Sequence, residues 1–67
     1  MRLETIRSEI ERMRGEVALQ RREILQLQRA GIATASADAL LQRMLERIDA
    51  LCAERDRLKA AQPRARA

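Results

Sequence analysis

The chain has 67 residues, with no His, Phe, Tyr or Trp and only one Cys, one Pro and two Gly. Of its apolar residues 12 are Ala, which leaves 18 large aliphatic side chains and Cys52 to form a core. Chains shorter than about 70–80 residues rarely stabilise one core without disulfides, a metal or a partner chain. A single Cys and the absence of His argue against the first two, so we expect self-association.

The charge balance is 14 basic against 10 acidic residues, which gives a net charge of +4, and 13 of the basic residues are Arg. This Arg bias, together with abundant Ala, is typical of a GC-rich bacterial gene. No apolar run approaches the roughly 20 residues that span a bilayer, and the N-terminus alternates charges at Arg2, Glu4, Arg7 and Glu9. We therefore expect a cytoplasmic chain without a secretory signal.

The first half of the chain has the apolar spacing of a coiled-coil helix, predicted at about residues 2–30. Apolar residues occupy seven of the eight a and d heptad positions. The a positions are Leu3, Ile10, Val17 and Ile24, and the d positions are Ile6, Met13, Gln20 and Leu27. Gly15 falls at the outward f position, where it does not interrupt this pattern.

A turn is predicted at about residues 31–36, because the same heptad would place Gly31, Thr34 and Asp38 on its apolar face. Gly31 matches a left-handed helix C-cap, with Ile32 as the apolar residue that often follows such a cap. Thr34 or Ser36 can cap the next helix, and Asp38 would lie near its positive N-terminal end.

The second periodic segment predicts a helix at about residues 37–61 with a wider apolar face. Its a and d positions hold Leu41, Ile48, Arg55, Met44, Leu51 and Leu58, and Leu40, Leu45 and Cys52 widen the face. A wide face can contact more than one neighbouring helix. Pro63 ends the pattern, so the prediction is one hairpin domain over residues 1–62 and a disordered basic tail over 63–67.

The predicted fold is all-α: an antiparallel helical hairpin with coiled-coil heptads that dimerises into a four-helix bundle. The predicted oligomer interface consists of the apolar positions and one amide: Leu3, Ile6, Ile10, Met13, Val17, Gln20, Ile24, Leu27, Leu41, Met44, Leu45, Ile48, Leu51 and Cys52. One continuous helix in a parallel dimer is the competing architecture, and Gly31 argues against it.

Charged residues flank the apolar positions of the first helix in a regular order. Glu9, Glu16 and Glu23 occupy g positions, and Arg7, Arg14 and Arg21 occupy e positions. If two first helices touch, this order favours parallel pairing, because Glu then faces Arg of the other chain. The spacings Arg12–Glu16 and Glu54–Arg57 predict ion pairs along the helix surface.

Three further residue types have a structural and a functional interpretation. Gln20 either fixes the register and oligomer state of the bundle or marks a wet position where its amide reaches solvent or a partner. Cys52 is expected to pack as a small apolar residue, with an inter-chain disulfide or a redox thiol as the alternative. Leu19 and Leu25 lie off the apolar face and are expected to be isolated exposed leucines, with a second interface as the alternative.

No residue pattern predicts catalysis: the hydroxyl residues have no neighbouring base, no Gly-rich phosphate loop is present, and a metal site is not expected without His or paired Cys.

We expect a non-enzymatic, self-associating module without a cofactor that acts through protein contacts, as a homodimer or higher homo-oligomer. The alternative is a small RNA- or DNA-binding bundle, for which the pI is near 11. Its candidate contacts are Arg7, Arg14, Arg21, Arg22, Arg29, Arg64 and Arg66. The interleaved Glu and the absence of aromatics argue against nucleic-acid binding. Membrane-surface binding by the first helix is the least favoured of the three functions, because its apolar face is narrow.

Overall fold

The computed structural model describes residues 2–62 and contains two α-helices. Helix α1 is Leu3–Arg29 and helix α2 is Ala35–Ala61, each of 27 residues, or about 40 Å in length. The helices pack against each other along their lengths, which confirms the predicted helical hairpin and excludes one continuous helix. The predicted tail over residues 63–67, including Arg64 and Arg66, lies outside the described residues.

The turn begins with a helix C-cap that depends on glycine. Gly31 has φ +72°, the left-handed conformation that L-residues with a Cβ rarely adopt. The Gly31 N–H donates to the carbonyl of Gln28 at 3.0 Å, and the Ile32 N–H donates to the carbonyl of Leu27 at 2.9 Å. These two bonds form a Schellman motif, which satisfies carbonyls at the end of α1 and reverses the chain.

Helix α2 begins differently from the sequence-based expectation. Thr34 is its N-cap residue, but its side chain accepts no capping hydrogen bond. The Thr34 hydroxyl instead donates to Oδ2 of Asp38 at 2.9 Å, while the Asp38 N–H donates to the Thr34 carbonyl at 2.7 Å. Ser36 lies inside α2. Asp38 is in the first turn, where its negative charge complements the helix dipole.

The core of the hairpin is asymmetric. Helix α1 buries six residues, namely Ile6, Ile10, Met13, Val17, Gln20 and Ile24, whereas α2 buries only Leu51. The exposed fraction is 0% for Ile6 and 4% for Leu51. The narrow apolar face of α1 is thus covered by one neighbouring helix. The wider face of α2 exceeds what α1 can cover, as the distribution of its apolar residues predicts.

Neither α1 nor α2 contains an apolar stretch sufficient to cross a lipid bilayer.

Candidate functional site

The fourteen residues predicted to form an oligomer interface divide into two equal groups. Seven are buried inside the hairpin itself: Ile6, Ile10, Met13, Val17, Gln20, Ile24 and Leu51. The other seven are half-buried: Leu3, Leu27, Leu41, Met44, Leu45, Ile48 and Cys52. A second chain could remove little more water from the first group, so the apolar surface left for a partner lies mainly on α2.

One edge of α1 carries glutamates, and we call Glu9, Glu16 and Glu23 the glutamate edge. Arg12 bridges two of them by hydrogen bonds, donating from Nη2 to Glu9 at 2.6 Å and from Nη1 to Glu16. Hydrogen bonding from Arg12 lowers the pKa of Glu9, and the charges of Arg12 and Arg47 add to this effect. Glu9 and Arg47 both occupy g positions, which lie side by side in an antiparallel pair of helices.

The opposite edge of α1 carries Arg7, Arg14 and Arg21, which we call the arginine edge. These residues are exposed, and none forms an ion pair with another residue of the described part of the chain. They occupy the e positions of α1, on the other side of the apolar face from the glutamate edge. In an antiparallel pair of helices, e positions of one helix lie beside e positions of the other.

The e positions of α2 hold Asp38, Leu45, Cys52 and Lys59, so these residues share one side of the hairpin with the arginine edge. Leu45 and Cys52, together with Leu41 and Ile48, form a continuous row of half-buried apolar residues, which we call the α2 stripe. Asp38, at the turn end of this row, and Asp49, at a b position beside it, are exposed, and we call them the aspartate edge. Asp56 is also exposed but pairs with Arg55 of its own helix. The sequence-based prediction placed Asp38 near the N-terminal end of α2 and did not single out Asp49.

This side of the hairpin therefore has three zones. The arginine edge lies along α1, and the α2 stripe lies beside it on α2, with Asp38 at its turn end and Asp49 along its outer side. The cations of α1 are thus separated from the carboxylates of α2 between residues 38 and 49, whereas the end of α2 beyond Cys52 carries Arg55 and Lys59 as well as Asp56. Such a surface is polar at its margins and apolar along its middle, which is the usual anatomy of a protein interface.

Gln20 is a polar residue of the buried helix–helix contact, with 9% of its surface exposed. Its Nε2 donates to the backbone carbonyl of Ala37 in the first turn of α2, at 3.0 Å. The amide thus links the two helices of one chain. The amide of Gln20 therefore has a hydrogen-bond partner inside the hairpin, which both interpretations of this residue allow.

Ion pairs of the described residues cover the outer surfaces of both helices. The predicted pairs Arg12–Glu16 and Glu54–Arg57 are confirmed, and Arg55 also bonds Asp56 at 3.1 Å. Exposed pairs of this kind contribute about 0–1 kcal/mol each. They define no binding site.

Other features of the described residues give no chemical site. Cys52 has a free, half-buried thiol. A shallow concavity of about 350 Å³ is lined by Arg47, Ala50, Leu51 and Glu54, on the side of α2 away from the α2 stripe. Within residues 2–62, no group of three His, Cys, Asp or Glu side chains is placed to hold a metal ion.

Some large apolar residues are exposed outside the α2 stripe. Leu19 is 63% exposed and Leu25 is 45% exposed on α1, while Ile32 and Leu40 are 55% and 43% exposed near the turn. Leu19 lies among polar residues on the outer surface, which agrees with an isolated exposed leucine. The a and d positions of α1 are covered by α2, so contact between two α1 helices through those positions would require the hairpin to open.

Comparison of the chain with protein-family models, with curated proteins and with solved structures finds no match in any of the three.

Proposed function

We propose that the protein is a non-enzymatic, self-associating helical hairpin that acts through protein–protein contacts, and that two copies form a four-helix bundle. The observation that carries this proposal is the half-buried α2 stripe, which remains after α2 has covered most of the narrow face of α1, whose end residues Leu3 and Leu27 are half-buried. A row of aliphatic side chains along one helix is costly to leave in water, at about 25 cal/mol per Å². A second copy would cover it.

The small size of the chain supports the same proposal. Within residues 2–62 the hairpin has six buried apolar residues to hold it together. The described part contains no disulfide, since its Cys52 is free. Small chains of this kind commonly obtain the missing stability from association, and two-fold dimers are the most common assembly.

Size-exclusion chromatography with light scattering tests the proposal on the full chain. We expect a mass of about twice the 7.7 kDa of one chain. Leu45→Lys should raise the dimer dissociation constant about 100-fold or more, because a two-fold dimer loses the buried leucine twice. Leu19→Lys is the matched control, since Leu19 is 63% exposed and outside the α2 stripe. A folded, helical chain with the mass of one copy at every concentration would contradict the proposal.

A second candidate function is nucleic-acid binding by α1. The observation that favours it is a set of five exposed arginines without an ion-pair partner in the described part: Arg7, Arg14, Arg21, Arg22 and Arg29. Contacts from these residues to phosphates would give a salt-sensitive affinity without sequence preference. Fluorescence anisotropy with labelled mixed-sequence RNA and DNA at low salt tests this candidate, and no change in anisotropy would eliminate it.

A further inference from the structure

We propose that the two copies pair through the α2 stripe with their two-fold axis parallel to the helices, so that α2 of each chain lies on the arginine edge of α1 of the other. This inference rests on the proposed self-association and specifies its geometry. It follows from the separation of charge across the interacting side of the hairpin.

Two arrangements bring the same side of two hairpins together face to face. If the two-fold axis runs parallel to the helices, left and right are exchanged, and α2 of one chain lies over α1 of the other. If the axis runs across the helices, each helix lies over its own counterpart in the antiparallel direction. Both arrangements remove the α2 stripe from water: the crossed axis places it on the partner's stripe, and the parallel axis places it on the stems of the partner's arginine edge. The charged residues provide the further distinction.

The charges distinguish the two arrangements. With the axis across the helices, the arginine edge faces a second arginine edge and the aspartate edge faces a second aspartate edge. With the axis parallel to the helices, each arginine edge faces an aspartate edge. Like charges held opposite each other disfavour an interface, whereas complementary charges favour it and fix its orientation.

The positions of the residues along the helix axis, which we call their levels, also support the parallel axis. Gln20 bonds Ala37, so these two residues lie at the same level. Asp49 is twelve residues beyond Ala37, which places it level with residue 8 of an antiparallel α1. A two-fold axis parallel to the helices preserves levels, so Asp49 of one chain lies beside Arg7 of the other.

The same reasoning applies at the other end of the hairpin. Asp38, one residue beyond Ala37, is level with residue 19 and therefore lies within one helical turn of Arg21 of the other chain. Glu11 is an acidic residue near the arginine edge, but it is rotated further from the apolar face than Arg7 and points toward the outer surface. The long stems of the arginines also cover part of the α2 stripe.

Distance measurement between spin labels tests the geometry. The label is placed on Ser36→Cys in a Cys52→Ala chain, after light scattering has shown that this chain still associates. Ser36 is exposed at the turn end of α2. With the parallel axis, both labels lie at one end of the bundle, within about 30 Å for helices packed 8–10 Å apart. With the crossed axis, they lie near opposite ends, about 40 Å or more apart.

Charge exchange is the second test. Arg7→Asp and Asp49→Arg should each raise the dissociation constant about 10-fold, because each reverses two symmetry-related contacts, and the double variant should recover most of the loss. Arg22→Asp and Glu46→Arg are matched controls at outward positions and should change it less than about 3-fold.

The outcomes separate the two proposals. Short label distances and recovery in the double variant support the parallel axis. Label distances of about 40 Å in a dimer would overturn the inference on geometry and leave self-association standing. A chain that scatters light as one copy would overturn the proposed function itself.

Discussion

The two glycines of the chain provide a sharp test of the hairpin, because substitution by Ala is expected to have opposite effects at the two positions. Gly15 lies in the middle of α1, is exposed, and a Cβ added there meets no atom within 4 Å. Ala is favoured over Gly in a helix by about 0.8–1.0 kcal/mol. Gly15→Ala should therefore stabilise the protein by about 1 kcal/mol.

Gly31 has the same open surroundings but a different backbone, with φ +72°. A residue with a Cβ in this left-handed conformation costs about 1–2 kcal/mol, so Gly31→Ala should destabilise the hairpin by this amount. Gly31→Asn should lose less, because Asn tolerates the left-handed conformation better than Ala. The two Ala variants should then differ from each other by about 2–3 kcal/mol.

Urea unfolding followed by far-UV circular dichroism measures these differences, with all variants at one chain concentration because association contributes to stability. A difference of 1 kcal/mol corresponds to about 4–8 °C in Tm for a chain of this size. If Gly31→Ala were as stable as the wild type, the turn would not hold the left-handed cap in solution. If Gly15→Ala were destabilising, the outward surface of α1 would have to be in contact with something.

Three other predictions concern single residues. Gln20→Ala should lose about 2 kcal/mol in urea unfolding, from one hydrogen bond and one buried methylene, whereas Gln20→Leu should be at least as stable as the wild type because apolar burial offsets the lost bond to Ala37. A Leu variant less stable than the Ala variant would contradict this ranking. Leu51→Ala should lose about 2–5 kcal/mol, and a loss below 1 kcal/mol would mean that the α1–α2 core is not formed as described. The pKa of Glu9 lies below its ordinary value because of Arg12, so its stabilising effect is present above the unfolded-state pKa and is lost as the pH falls through the folded-state pKa. The acid loss of stability should therefore be smaller in Glu9→Gln, measured by thermal unfolding between about pH 5 and pH 2, and identical pH profiles would contradict the Glu9–Arg12 interaction.

The heptad pattern was sufficient to predict the hairpin, because two regular apolar faces interrupted by Gly31 have few other solutions. Gly31 was informative since its conformational freedom is used directly, in the Schellman motif that ends α1. The start of α2 was less predictable. Thr34, Ser36 and Asp38 all have side chains that can cap a helix, and the backbone geometry of Thr34, with ψ 11°, leads its hydroxyl to Asp38 instead of to a backbone N–H.

The candidate site was only partly predictable, because burial depends on which helix covers which. The sequence places Ile6 and Leu45 in the same class of apolar position, yet Ile6 is 0% exposed and Leu45 is half-buried. The difference arises because α1 presents a narrow apolar face that one helix covers, whereas α2 presents a wider one. Likewise, the partner of Gln20 is a backbone carbonyl, and no pattern of side chains could have identified Ala37.

The two candidate functions require the arginines of α1 to contact different partners. In the proposed dimer, Arg7 and Arg21 lie against the aspartate edge of the partner, which leaves Arg22 and Arg29 as the outward-facing cations of α1. Nucleic acid bound to the dimer would then depend on Arg22 and Arg29 and be insensitive to Arg7→Gln. If Arg7→Gln weakened binding as much as Arg22→Gln, the arginine edge would have to be open in solution, and the parallel-axis pairing would be wrong. Removing an arginine that contacts a phosphate lowers the salt dependence of binding by about one released counterion. The salt slopes of the two variants therefore identify which arginines touch the phosphates.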